Sequence, residues 1–140
     1  MAAFERSLVL VKPDAVRNGQ GGAIISRLEK LGLKMVALKM LRMDRALAER
    51  HYAVHRDKPF FNELVKYMTS APIVAAVFAG DGAVSRIRQA MGATDPAKSD
   101  ARTIRADFGL DVTRNAVHGS DSVETAEAEI RLFFREEEIC

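Results

Sequence analysis

The chain alternates short apolar runs with stretches whose apolar positions recur at helical spacing. Ser7-Leu8-Val9-Leu10-Val11 is apolar from its second residue on, the pattern of a strand covered on both faces. It stops at Lys12-Pro13-Asp14, which leaves Lys12 at a strand exit. Ile24, Ile25, Leu28 and Leu31 form a helical stripe, and Gly32 is placed to end that helix. Met35 to Met43 reads as a second strand, residues 45–55 and 60–69 as two short helices around Lys58-Pro59, and Pro72 to Phe78 as a third buried strand. Val84, Ile87 and Met91 stripe a further helix closed by Gly92. An irregular segment over 93–115 follows, then a short strand, Ala116-Val117-His118, and a last helix that begins at Ser122.

The order is β-α-β-(αα)-β-α-β-α. It predicts an α+β, ferredoxin-like βαββαβ fold: a four-stranded antiparallel sheet with helices on one face, plus additional helices. A structureless segment of that length is unusual inside a compact domain and is often functional. With 140 residues and no repeat, low-complexity tract or linker, the chain reads as a single domain, 1–140.

Composition narrows the class. Hydrophobic residues make up 48% and charged residues 29%, ordinary for a soluble globular protein. No apolar run approaches the ~20 residues of a membrane span, and Met1 to Arg6 lacks a signal-peptide layout. A single cysteine, Cys140, excludes an intramolecular disulfide and points to the cytoplasm; intermolecular pairing of this terminal thiol is its one redox option. The net charge of +2 hides an asymmetry: residues 1–60 carry 12 basic against 6 acidic side chains, residues 61–140 carry 9 against 13. A local basic pocket for an anionic ligand fits this better than nucleic acid as the main ligand, since there is no basic run.

The candidate chemistry centres on Asn115-Ala116-Val117-His118-Gly119-Ser120-Asp121-Ser122. One histidine stands among small, hydroxyl- or amide-bearing residues, which would let a bulky anion approach the ring. Neutral imidazole attacks electrophilic phosphorus, and its second nitrogen needs a partner to fix the tautomer. Glu127 and Glu129, on the two edges of the last helix's apolar stripe, are both candidates, and periodicity does not choose between them. Lys12, Arg88 on the inward side of its helix, and Arg105 within the irregular segment are the cations a phosphate would need; Arg86 points elsewhere. Neither a P-loop nor a Rossmann glycine pattern is present; the glycines at 19, 21 and 22 suit a turn before a helix. His51 and His55 stand at i, i+4 spacing, but no third metal ligand is evident. Tyr52, Phe60, Phe61 and Leu64 read as core residues, one of which could serve as a platform for a base.

Lys12-Pro13-Asp14-Ala15, His55 to Phe61, Met91 to Pro96, Thr103 to Phe108 and Asn115 to Ser122, in that order, resemble the nucleoside diphosphate kinases over essentially the whole chain. The resemblance implies ping-pong transfer of the γ-phosphoryl group from a nucleoside triphosphate, mainly ATP, to a nucleoside diphosphate through a phosphohistidine at His118. It implies Glu129 as the carboxylate behind the imidazole, with Ser120 beside both and the Tyr52 hydroxyl near the phosphate. Lys12, Arg88, Thr94 and Arg105 match phosphate contacts, Lys12 and Asn115 sugar contacts, and Phe60 and Val112 the pair that sandwiches the base, with Leu64 nearby. Mg²⁺ would arrive on the nucleotide's own phosphates, with no protein cage. Stacking without hydrogen bonds to base edges would accept all bases. The family forms homo-oligomers, and a hexamer is favoured here over a tetramer.

One departure is Arg102, where the family usually has glycine before Thr-Ile-Arg. If the position needs φ > 0, Arg102 is strained; otherwise it adds a cation or an oligomer contact. Two other classes of function compete: a ferredoxin-like nucleotide-binding regulatory module, which would not need His118, and a histidine phosphocarrier, which would not need the base sandwich.

Overall fold

The computed structural model describes residues 4–140. Its strands are β1 (Phe4–Val11), β2 (Lys34–Leu41), β3 (Ile73–Asp81) and β4 (Val117–Gly119). Its α-helices are α1 (Pro13–Arg17), α2 (Gly21–Glu29), α3 (Arg45–His51), α4 (Phe61–Met68), α5 (Ala83–Met91), α6 (Ile104–Phe108) and α7 (Val123–Phe133). The strands form one sheet in the order β2-β3-β1-β4, and every neighbouring pair is antiparallel. This is the ferredoxin-like α+β arrangement read from the sequence.

The expectation of helices on one face does not hold. Leu8, Leu10, Ala75 and Val77 pack with Ala48 of α3, Val65 of α4 and Ile130 of α7. Val9, Val11, Ala76 and Phe78 pack on the opposite face with Ile24 and Leu28 of α2, Ile87 and Met91 of α5 and Ile104 of α6. The cause lies in β1: Leu8 to Val11 are all fully buried, so both faces of the strand need cover. Each such side chain contributes ~1.5–3 kcal/mol of burial, before the entropy cost of ordering it. The αα insertion and the last helix supply the second layer.

Three local features depart from the sequence reading. Pro13, tolerated at the first turn of a helix, opens the short α1 directly after Lys12. The helix expected over 45–55 breaks into α3 and a 3₁₀ turn at Ala53–His55. The segment 93–115 is not structureless: it holds a 3₁₀ turn at Pro96–Lys98 and α6, whose N-cap Thr103 accepts from the Ala106 N–H at 3.3 Å. Gly92, at φ +87°, shows why this segment lies so close to α5: a Cβ there would sit 1.9 Å from Ser99 Oγ.

Candidate active site

β4 aims the histidine. His118 lies directly opposite Leu10 of β1, so the two side chains share a face, the one covered by α3, α4 and α7. Glu129 reaches it from α7: Glu129 Oε1 is 3.1 Å from His118 Nε2. The Ser120 hydroxyl donates to the same oxygen at 2.7 Å and accepts from the Leu8 N–H at 3.2 Å, which fixes the carboxylate against β1. Burial pushes the Glu129 pKa up, but hydrogen bonding and charge from His118, then His51 and Ser120, outweigh it and hold Glu129 below its usual value. An ionised carboxylate only accepts, so His118 carries its proton on Nε2 and presents Nδ1 as a lone pair. Glu127, the other sequence candidate, faces Arg6 instead, at 2.6 Å.

Gly119 has a different purpose from the one its size suggests. It is buried, and a Cβ there would lie 2.5 Å from Met91 Sδ. The glycine lets β4 dock on α5; it does not make room in front of the ring.

The backbone just before β4 is strained. Ala116 has φ +74°, and the Val117 N–H donates to the Asn115 carbonyl at 2.9 Å, closing a three-residue γ-turn with a left-handed centre. The surroundings over-determine it. The Ala116 N–H donates to Asp14 Oδ2 at 3.0 Å, its carbonyl accepts from the Lys12 N–H at 2.9 Å, and the Tyr67 hydroxyl donates to Asp14 Oδ1 at 2.5 Å. Asp14 and Tyr67 support the candidate site through this turn, a part that the sequence pattern does not reveal. Asp14 lay inside a recognised motif, but only the fold shows that its carboxylate holds the turn before the histidine.

Cations gather beside this turn. Lys12, only 6% exposed, donates to the Thr113 carbonyl at 2.7 Å and to Asn115 Oδ1 at 2.9 Å. Burial is the main cause that lowers its pKa, to about 8, and nearby Arg105 adds to the effect. Arg105 donates to the Val117 carbonyl at 2.9 Å and the Gly92 carbonyl at 3.3 Å; burial and then Arg88 lower it to about 10. Arg105 adds to the cost of charging Lys12, and Arg88 to the cost of charging Arg105; among the described residues neither Lys12 nor Arg105 has a carboxylate partner, whereas Arg88 pairs with Asp121, and the cluster is a candidate anion site. Arg88 is not inward as expected: it lies in the last turn of α5, where the side chain is half exposed. Arg86 does point elsewhere, onto the Asp81 and Leu31 carbonyls.

The remaining sequence candidates divide between support and rim. Asn115 is buried and donates to the carbonyls of exposed Thr94, at 3.0 Å, and Val112, at 3.1 Å. Phe60 and Val112 are large exposed apolar side chains, and the His55 ring lies 5.5 Å from Phe60. Leu64 is half-buried against the core. Tyr52 is buried, and desolvation followed by the Glu129 charge raises its hydroxyl pKa. His51 and His55 do not form a pair: His55 stays near Phe60, whereas His51 turns inward, its ring centroid 4.7 Å from that of His118.

A ring nitrogen free to attack, beside buried cations on an α+β sheet, suits phosphoryl transfer, so fold and site define a phosphotransferase. The nucleoside diphosphate kinase family pattern matches residues 5–139. The nucleoside diphosphate kinase of Dehalococcoides mccartyi is 60% identical, with 97% of this chain and 96% of the relative covered, and that of Archaeoglobus fulgidus is 56% identical, with 97% and 90% covered. The solved Aquifex aeolicus enzyme superposes with a TM-score of 0.96 at 45% identity, covering 99% of this chain and 100% of its own. That of Halobacterium salinarum, solved in complex with CDP, gives 0.95 at 48% identity, covering 99% and 92%. The chain belongs to the nucleoside diphosphate kinase family. It is an enzyme of nucleotide phosphoryl transfer, a class that generally uses a divalent metal cation. Among the described residues, no helix is long and apolar enough to cross a membrane.

Proposed function

We propose that His118 is the nucleophile that carries the phosphoryl group between nucleotides. The observation behind this is the Nε2–Glu129 hydrogen bond of 3.1 Å, which commits one ring nitrogen and leaves Nδ1 to react. A nucleoside triphosphate, mainly ATP, is the first substrate; Mg²⁺ would arrive on the nucleotide's own phosphates and would supply charge neutralisation there. Nδ1 forms a bond to the γ-phosphorus, the bond to the β,γ-bridging oxygen breaks, and the nucleoside diphosphate leaves. A second nucleoside diphosphate takes the phosphoryl group by the reverse displacement. Glu129 stabilises the positive charge that grows on the imidazole, and Ser120 holds Glu129. Lys12, Arg88, Arg105 and Thr94 bind the phosphates, and the Tyr52 hydroxyl lies beside them. The one N–H of Lys12 not taken by Thr113 and Asn115 is shared between phosphate and a ribose hydroxyl, and one lone pair of Asn115 Oδ1 remains for the ribose. Phe60 and Val112, with Leu64 beneath, take the base by stacking, so any base is accepted.

Incubation with γ-labelled ATP tests this. Acid-labile label on His118, discharged by any nucleoside diphosphate, is expected. No label, or discharge only to a protein, would overturn the reading in favour of a regulatory module or a phosphocarrier.

We further infer a homo-oligomer, a hexamer of three dimers, in the cytoplasm. β2 is an edge strand that exposes Leu38 and Met40, and these line an open groove of about 410 Å³ with Val16 and Ile25. An exposed apolar edge needs cover. Light scattering checks the assembly, and a tetrameric mass would refute the hexamer.

A further inference from the structure

His51 is the least explained polar group in the molecule. Its side chain is 1% exposed, and among the described residues neither ring nitrogen has a hydrogen-bond partner. Buried polar atoms without partners are rare and call for a reason. A neutral imidazole holds one N–H and one lone pair, so an undonated lone pair sits inside the fold here. That lone pair has company: one ligand atom each from His51, His118 and Glu129 lies within 4.8 Å of the other two. His51 Nδ1 is 3.9 Å from Glu129 Oε2, and His118 Nε2 is 3.1 Å from Glu129 Oε1. His118 is partly open to solvent, which gives an ion a way in.

We propose that His51, Glu129 and His118 form an inhibitory site for a borderline transition-metal ion, Zn²⁺ above all. Two imidazoles and one carboxylate, with a fourth position left to water, are a ligand set Zn²⁺ accepts, and Ser120 already anchors the carboxylate as an outer partner. Mg²⁺, which prefers oxygen ligands and keeps its waters, does not suit it. Inhibition follows from proton placement. Neutral imidazole has a single N–H. An ion on Nε2 of His118 displaces that proton, which moves through solvent to Nδ1. The lone pair that would attack phosphorus is then occupied.

The inhibitory effect rests on His118 being the nucleophile; the binding does not, and the test separates them. Zn²⁺ is titrated into the nucleotide-free protein against a fluorescent chelator, and Co²⁺ serves as the spectroscopic probe. One ion per chain is expected, with the visible absorption of a four- or five-coordinate Co²⁺ site and at least tenfold weaker binding in His51→Phe. His118→Gly removes a ligand at the open end of the site and should weaken binding likewise, which keeps the test decisive if His51→Phe fails to fold. Zinc-loaded protein should form phosphohistidine from labelled ATP at least tenfold more slowly, with recovery on adding a zinc-selective chelator. Equal Zn²⁺ affinity in wild type and His118→Gly, or a six-coordinate Co²⁺ spectrum, overturns the proposal. Absent labelling in metal-free protein indicts the nucleophile assignment instead.

Discussion

The two sides of the candidate site are built differently. On the histidine side the groups that support the ring are held at least twice: Glu129 by His118 and Ser120, Asn115 by Lys12 and two carbonyls, Asp14 by Tyr67 and the strained turn. On the side proposed to take the base, Phe60 and Val112 are 48% and 57% exposed, and Arg88 rests on an exposed aspartate. Chemistry gains from groups fixed before the substrate arrives, because reorganisation then costs nothing at the barrier. Base binding has to tolerate different rings, and an open apolar clamp does that. Changes on the first side should therefore act on kcat, and changes on the second on KM.

The largest effect is expected at His118, the proposed nucleophile. His118→Gly should cut phosphoryl transfer by ~10⁴-fold or more while leaving nucleotide binding measurable, as for other covalent catalysts that lose the attacking group. Residual turnover near wild type would mean that another residue carries the phosphoryl group and that the rigid side serves some other end.

Lys12 comes next. Lys12→Met should cost roughly 10²–10³-fold in kcat/KM, the scale for removing one preorganised charge. The wild type adds a pH signature. The folded pKa of Lys12 lies near 8, against an ordinary 10.5, so its charge is present below pH 8 and lost above it. For the free enzyme kcat/KM should fall as pH rises past about 8, and bound phosphate should move the corresponding fall in kcat to higher pH. The sign for stability is opposite. Between about pH 8 and 10.5 the unfolded chain holds a proton that the folded one has released, so this group's contribution to stability rises with pH across that window. A kcat/KM profile flat to pH 10 would separate Lys12 from the anion site.

Phe60→Ala probes the open side. Stacking on one aromatic ring contributes ~1–3 kcal/mol per base, and a half-exposed ring belongs at the low end. KM for the diphosphate should rise about tenfold for every base alike, with little change in kcat, the mark of uniform binding. Steady-state kinetics with a purine and a pyrimidine diphosphate check both halves of that expectation. A drop in kcat alone would erase the contrast between the two sides.

Much of this was legible in the residues themselves. The apolar runs of β1 and β3 announce the buried strands, and the alternation at Leu10 and His118 fixes which face the imidazole shares once the strands pair. Other features depend on contacts between distant segments, which local pattern does not encode. Glu127 and Glu129 are equivalent by periodicity; Arg6, on β1, draws one of them away. Gly119 looks like room for a ligand, and only the position of Met91 shows it to be a packing residue. His51 and His55 stand at i, i+4 spacing only if one helix runs on to residue 55; α3 ends at His51, and the ring turns under His118.

The smallest effect concerns Arg102, where the conditional raised by the sequence now has an answer. Its φ is +72°, the left-handed region that disfavours a side chain. Among the described residues its guanidinium has no hydrogen-bond or carboxylate partner, and its carbonyl accepts from Arg27, which also pairs with Asp107 and lies over the Phe108 ring. The backbone is thus held by Arg27 whatever side chain stands at 102. Arg102→Gly would keep that bond, relieve roughly 1–2 kcal/mol of strain and lose roughly 0.5–1 kcal/mol to the greater freedom of unfolded glycine. The net expectation is a gain of about 0.5–1 kcal/mol, a rise of a few degrees in Tm for a chain of this size, with kinetics unchanged because Arg105 is positioned by its own bonds to Val117 and Gly92. A Tm that falls instead, together with a smaller mass by light scattering, would show that the Arg102 side chain joins copies of the chain and that the strain is tolerated for that contact.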